Sequence, residues 1–435
     1  MEVNTISKDI GNGIAVHIIP TEKFKTTEIA VFIHSELDDN YTKNALLSRI
    51  MRRGTEKLST TRELEVFLEN LYGAKFGVQI MKKGERHIIK ASISMVGEKY
   101  ISNDDQLMVK GLEFLKDVIF KPVKQEGLEL FKEEYLDQEK ANLKKQIEGL
   151  INNKVQYAVE RCIQEMCKNE RFGRYVYGNI DDVDRITNDD LFNHYLTMIH
   201  ASPIDVFVVG NVDPQQIISL VKQVFDIQRN KIKSIPKEIV KRAVGQEKYH
   251  FEKLDVTQGK LSLGYRTNTE YQPQSYIPLV VFNSILGGGT HSKLFINVRE
   301  KNSLAYYIFA RLEKFKGLMI ISSGIEIDNY QRALDIIKEQ VSEIKEGKVT
   351  DQELAFSIKA LETELMSATD SPAQLMDYYL GNQIKGVDMS ISSFIERVKQ
   401  VDKEQVIRAA NLVKLDTVYF LTNNQERRVS FDKDN

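Results

Sequence analysis

Arg299 and Tyr306 stand seven residues apart at the end of the run Leu-Gly-Gly-Gly-Thr-His-Ser-Lys-Leu-Phe-Ile-Asn-Val-Arg-Glu-Lys-Asn-Ser-Leu-Ala-Tyr, residues 286–306. Arginine offers a fixed fork of N–H donors and tyrosine a hydroxyl. Two such donors converging on one point suit a carbonyl oxygen that gains negative charge in a transition state. The same two residue types also cap helix C-termini and half-bury in sheets, and spacing alone leaves both readings open. Gly287, Gly288 and Gly289 precede the pair. Glycine permits positive φ and close backbone approach, so the chain is predicted to reverse here between two packed helices.

The elements that must position these residues come from periodicity. Alternating or continuous apolar runs predict strands over 14–19, 28–34, 75–81, 87–95 and 204–209. Helical spacing predicts helices over 43–52 and 60–71, then a mostly helical stretch from about Asp105 to Cys167. Thr60 with Glu63 forms a capping box at the second of these, Thr187 caps a further helix, and Pro214 suits a helix first turn. The second half repeats the order. Strands are predicted over 249–254 and 260–265, helices over 274–286 and 291–299, and strands over 306–310 and 318–323. Helices over 329–347, 351–368, 372–384 and 403–412 precede a last strand over 417–422. A repeated β-β-α-α-β-β unit with helices and a closing strand reads as a tandem duplication. Hairpin-like pairs with helices on one side make the class α+β: two homologous domains, each a mostly antiparallel sheet packed with helices. The predicted division is 1–227, a Lys-rich linker over 228–248 that carries Pro236, and 249–435.

Composition narrows the function classes. Of 435 residues, 42% are hydrophobic and 28% charged, as in ordinary globular proteins. Sixty Lys+Arg against 62 Asp+Glu leave a formal charge of −2, so nothing draws the chain to nucleic acid or to an acidic membrane. No apolar run reaches the roughly 18 residues of a membrane span. The first residues lack a basic segment and an apolar segment, so no signal peptide is expected. Cys162 and Cys167 fit neither a disulfide framework nor a zinc spacing and suit a reducing, cytoplasmic setting. There is no phosphate-binding loop, no Gly-x-Ser-x-Gly and no dinucleotide fingerprint.

The segment over 286–306, the strand end Phe207-Val208-Val209-Gly210-Asn211-Val212-Asp213 and the triplet Arg53-Gly54-Thr55 resemble the pitrilysin/insulinase family of metallopeptidases, the inverted zincins. The resemblance runs over nearly the whole chain. It implies two homologous α+β domains closing like a clamshell. It also implies a His-x-x-Glu-His zinc motif on a helix of the first domain, a third carboxylate ligand far downstream, and an Arg–Tyr pair supplied by the second domain. Arg299 and Tyr306 match that pair, which binds the substrate carbonyl and its oxyanion.

The zinc half departs from the pattern. Counting back from Gly54-Thr55, the five motif positions are Ala45-Leu46-Leu47-Ser48-Arg49. Ala45 and Arg49 stand at the histidine positions and Ser48 at the glutamate. Alanine has no ligating atom, and a protonated guanidinium repels a cation. On the downstream helix Glu139 aligns with the first acidic position and Gln146 with the ligand. The seven histidines, His17, His34, His87, His194, His200, His250 and His291, include no pair three or four apart, so none forms a helical chelate. His17 and His34 read as ordinary strand residues, with a neighbouring position across a hairpin as the alternative.

No metal or other cofactor is therefore expected in this chain. Some members of the family act as pairs in which one chain holds the zinc and the other donates the Arg–Tyr pair. The resemblance implies the second kind of subunit, partnered by a homologous chain with an intact His-x-x-Glu-His motif and acting on a peptide. A peptide-binding or scaffold homodimer without peptidase activity is the alternative, and an independently active peptidase with unusual ligands a third.

Overall fold

The computed structural model describes residues 5–101 and 106–424. Asp105, near which the long helical stretch is predicted to begin, lies outside them. The chain forms two compact units, each a sheet packed with helices. The sheet of the first contains β1 (Ile6–Gly11), β2 (Ile14–Pro20), β3 (Thr26–Glu36), β4 (Lys75–Lys83), β5 (Arg86–Val96) and β6 (Ile204–Gly210), in the order β1-β2-β6-β3-β5-β4. The second sheet contains β7 (Lys248–Lys253), β8 (Gly259–Arg266), β9 (Ala305–Glu313), β10 (Leu318–Ile325) and β11 (Lys414–Thr422), in the order β7-β11-β8-β10-β9. With β1 set aside, the two orders match strand for strand, as a duplicated α+β unit requires.

Each sheet is antiparallel except for one parallel pair, β2 with β6 and β7 with β11. The predicted hairpin-like pair β2–β3 is therefore not a hairpin. β6 returns from far along the chain and lies between them, antiparallel to β3. The apolar run of β6 explains this choice, because a strand buried on nearly every residue belongs in the sheet interior.

Local signals act where predicted. The Thr60–Glu63 capping box opens the helix Thr61–Asn70, Thr187 caps Asn188–Ala201, and Pro214 starts Pro214–Val224 behind an Asp213 cap. Three elements escape the periodicity reading, the short helix Ile180–Arg185 among them. β1 is a short, mostly exposed edge strand without an apolar stripe. The helix Ile391–Lys399 buries Ile391, Phe394, Ile395 and Val398 inside an otherwise polar stretch. Residues 226–247 carry neither helix nor strand.

β10 is buried at all eight positions, so both faces of its sheet must be covered. The helix Lys154–Met166, from the first half of the sequence, lies in the second unit and packs on β8, β10 and β11 through Ala158, Val159, Cys162, Ile163 and Met166. Cys162 and Cys167 are both buried and form no disulfide. Reciprocally, the helix Pro372–Lys385, from the second half, lies in the first unit against β6. It is tied there by Lys83 to Asp377 at 2.6 Å and by Gln383 to Ser7 at 3.1 Å. The compact units thus depart from the linear division at 227 and 249 in residues 150–173 and 367–390.

One buried ionic cluster anchors the segment that follows Lys154–Met166. Glu170 meets Arg266 at 2.6 Å, Lys316 at 2.7 Å and Arg242 at 2.9 Å, and Arg266 also meets Asp416 at 3.0 Å. Burial alone would push the Glu170 carboxyl up, but the hydrogen bonds and charges of Arg266 and Lys316 outweigh it and hold the carboxyl below its ordinary value. Removing the Glu170 charge would leave buried Lys316 and Arg266 without the carboxylate that meets both. Glu170→Gln is expected to destabilise the protein by about 3 kcal/mol, measured by urea unfolding of the full chain.

Candidate functional site

The helix Tyr41–Met51 carries the three degenerate zinc positions, and the helix Glu133–Gly149 faces it. Ala45 presents a buried methyl group. Ser48 turns its hydroxyl back on its own helix and donates to the Ala45 carbonyl at 2.8 Å, as buried helix serines commonly do. Arg49 spans the gap between the helices. One guanidinium nitrogen donates to Glu139 Oε2 at 3.0 Å and the other to the Gln146 side-chain carbonyl. Arg53, one turn on, donates through Nε to Glu139 Oε1 at 2.7 Å. Glu139 and Gln146 lie two helical turns apart and share one face, so a single arginine reaches both.

These side chains do not fit zinc. The two imidazole positions hold a methyl group and a guanidinium, and a cation is already seated on the carboxylate. The amide oxygen at the third position accepts a hydrogen bond from Arg49. Among the described residues no group of three or more His, Cys, Asp or Glu is disposed to hold a metal ion. The positive charge that a buried carboxylate requires comes instead from two guanidiniums.

A cavity of about 570 Å³ opens beside this cluster. Arg49, Arg52 and Arg53 line it, as do Leu64, Leu68 and Phe76. Val78, Gln79 and Ile80 of β4 complete it. β4 is an edge strand, paired among the described residues with β5 alone, so its outer backbone groups are open to a further strand.

Two histidine networks lie nearby in the same unit. His87 donates Nε2–H to the Val176 carbonyl at 2.9 Å, its Nδ1 lies 3.4 Å from the Asn44 amide nitrogen, and the Asn44 side-chain oxygen meets His194 at 2.8 Å. Burial pushes both His87 and His194 down to about 4, so both are neutral at pH 7. His17 and His34 are not hairpin neighbours. Asp205 of the intervening β6 meets His17 at 3.1 Å and His34 at 3.0 Å, so the pair is joined through a carboxylate. Burial opposes that charge, but the two imidazoles outweigh it and hold the Asp205 carboxyl well below its usual range.

In the second unit, Arg299 lies in a π-helical turn, Phe295–Lys301, rather than in the α-helix predicted over 291–299. Its guanidinium stacks 4.9 Å from the Phe295 ring centre and passes 3.8 Å from Glu300. Tyr306 is half exposed on β9 and donates its hydroxyl to Glu326, which raises the phenol above its ordinary value. Each residue has its own partner, and no hydrogen bond joins the two among the described residues.

The three glycines do not use positive φ, contrary to expectation. Gly287 is the last residue of the helix Pro273–Gly287, and a Cβ there would come within 2.7 Å of Ala310 on β9. One at Gly288 would lie 2.7 Å from the Ser284 backbone. Close approach, not left-handed backbone, is what demands glycine. Gly289 meets nothing closer than the His291 ring at 3.4 Å, so no contact requires it. The segment lines a second cavity of about 1070 Å³ between this helix, β9 and the helix Asp351–Ala368.

Sequence reasoning missed Arg53 and Arg52 as parts of the site and read Glu139 only as an aligned position. Arg49 near the end of its helix and Arg53 in the turn just beyond it both reach Glu139, and two arginines spaced four apart opposite an acidic helix position were the available signal.

Restoring the ligands tests the zinc reading directly. The variant Ala45→His, Ser48→Glu, Arg49→His, Gln146→Glu is expected to purify with about one zinc per chain, against far less than one for the parent, by elemental analysis. The buried neutral histidines make a second prediction. Their folded-state values lie below the ordinary His value of about 6.5, so the unfolded chain takes up more protons between pH 6.5 and 4. Stability should be full above pH 6.5 and fall as the pH drops through that window. His87→Gln should flatten the fall in urea unfolding measured at pH 7 and 5.

No helix among the described residues is long and apolar enough to cross a membrane. The family described as the peptidase M16 inactive domain matches residues 185–361. A Bacillus subtilis protein described as the probable inactive metalloprotease YmfF is 38% identical over 97% of this chain and 99% of its own length. The crystal structure of a conserved protein from Enterococcus faecalis is similar with a TM-score of 0.86 at 30% identity, covering 98% of this chain and all of that one. A protease from Helicobacter pylori shares the fold at 16% identity, with a TM-score of 0.79 over 97% of this chain and all of that one. With the repeated α+β topology, these likenesses establish that the chain belongs to the M16 peptidases, the pitrilysin/insulinase family.

Proposed function

We propose that this chain is the zinc-less, non-catalytic subunit of a cytoplasmic heterodimeric peptidase, partnered by a homologous chain with an intact His-x-x-Glu-His motif. The observation that carries this reading is Arg49, whose guanidinium sits on Glu139 and Gln146 where a metal ligand would be needed. The description of the Bacillus relative as probably inactive agrees with it. Zinc and the water it activates belong to the partner. This chain contributes Arg299 and Tyr306, two donors aimed at the scissile carbonyl and the oxyanion that forms from it. The half-exposed Arg299 stacks on Phe295, has the exposed Glu300 carboxylate at 3.8 Å, and is available to a substrate. Tyr306 must first release Glu326.

A peptide-binding or scaffold homodimer is the second reading, and the engagement of Tyr306 by Glu326 favours it. Co-expression with a zinc-bearing homologue separates the two, because only the heterodimer gives peptide cleavage that neither chain shows alone. An oxyanion donor contributes on the order of 3 kcal/mol. Arg299→Ala is therefore expected to lower kcat of the reconstituted pair at least roughly tenfold; an unchanged rate excludes a shared site.

A further inference from the structure

We propose that the cavity beside Arg49 recognises an extended peptide by a carboxylate side chain within it. The proposal rests on the peptide-binding reading above and names the class of peptide. Two observations converge on it. The first is β4, an edge strand that lines the cavity and keeps its outer backbone donors and acceptors open to an added strand. The second is charge. Three guanidiniums, Arg49, Arg52 and Arg53, line the cavity against two carboxylates, Glu65 and Glu139. Glu139 is shared by Arg49 and Arg53, and both guanidiniums keep about a quarter of their surface exposed (26% and 23%). Arg52 is exposed and makes no hydrogen bond or ion pair among the described residues. A free guanidinium beside two partly satisfied ones is a donor array for a carboxylate, which it can bind through paired N–H groups.

Strand addition sets the pattern of the rest of the peptide. Side chains at i and i±2 of an added strand share a face. An acidic residue turned toward the arginines therefore has its second neighbours on the same side, where Leu64, Leu68 and Phe76 offer an apolar wall. The favoured peptide is uncharged apart from one Asp or Glu, with an apolar residue two positions away.

The test uses the full-length protein and fluorescein-labelled ten-residue peptides, amidated at the C-terminus, with a central Glu flanked at ±2 by Leu. A matched series carries Gln in place of Glu, and a third carries Gln with a free terminal carboxylate. Fluorescence anisotropy is expected to show the Glu peptide binding at least tenfold tighter than the Gln peptide, with the ratio falling as salt rises. Arg52→Gln, an exposed substitution, is expected to narrow that ratio to threefold or less. Equal binding of the Glu and Gln peptides overturns the carboxylate preference and leaves the peptide-binding reading standing. A preference that follows the terminal carboxylate does the same, and a ratio that survives Arg52→Gln overturns the placement of that preference at this cavity. Failure of every peptide to bind overturns both.

Discussion

A carboxylate held among packed helices needs a cation within hydrogen-bonding reach, and Glu139 has two. Arg49 and Arg53 approach it from the helix Tyr41–Met51 and its C-terminal end. Stripping water from three ionised groups is tolerable only because each bond is charge-assisted and well directed. That constraint explains several features together. It fixes the facing of two helices, commits Gln146 through the second fork of Arg49, and seats guanidiniums on the buried carboxylate of that face. It also leaves the adjoining cavity lined by guanidiniums and by leucines.

The same accounting of buried charge recurs elsewhere. Glu170 sits among Arg242, Arg266 and Lys316 in the second unit, and Asp205 sits between His17 and His34 in the first. Both clusters join strands or segments remote in sequence. Asp205 exists as a bridge only because β6 lies between β2 and β3. Glu170 follows the helix Lys154–Met166, which leaves its own half of the sequence to cover the other half's sheet. Polar groups of this kind specify register and location, where an apolar surface would accept several.

Much of the fold was legible because its signals are local. The capping box at Thr60, Pro214 at a first turn, the unbroken apolar run of β6 and the repeat of the whole pattern all report short-range physics. The degenerate motif was legible for a similar reason: Ala45, Ser48 and Arg49 lie within five residues of one another on one helix, and their side chains exclude zinc whatever surrounds them. Less legible were β1, which lacks an apolar stripe, and the π-helical turn over Phe295–Lys301, which keeps nearly the same periodicity as an α-helix. The glycines at 287 and 288 were assigned the wrong freedom, since close approach and positive φ leave the same mark on a sequence.

The amino-acid sequence by itself determined the duplicated α+β plan, the family and the residue types Ala45, Ser48 and Arg49 at the aligned motif positions, because hydrophobic period and side-chain chemistry need no partner to be read. Only the tertiary structure decided that Arg49 grips Glu139 and Gln146 together, that Asp205 separates two histidines, that two helices exchange places, and that Arg52 faces a cavity along an open strand edge. Each of these is a contact between residues far apart in the chain. Such contacts are chosen by the packing of whole elements, and no local window of sequence encodes that choice.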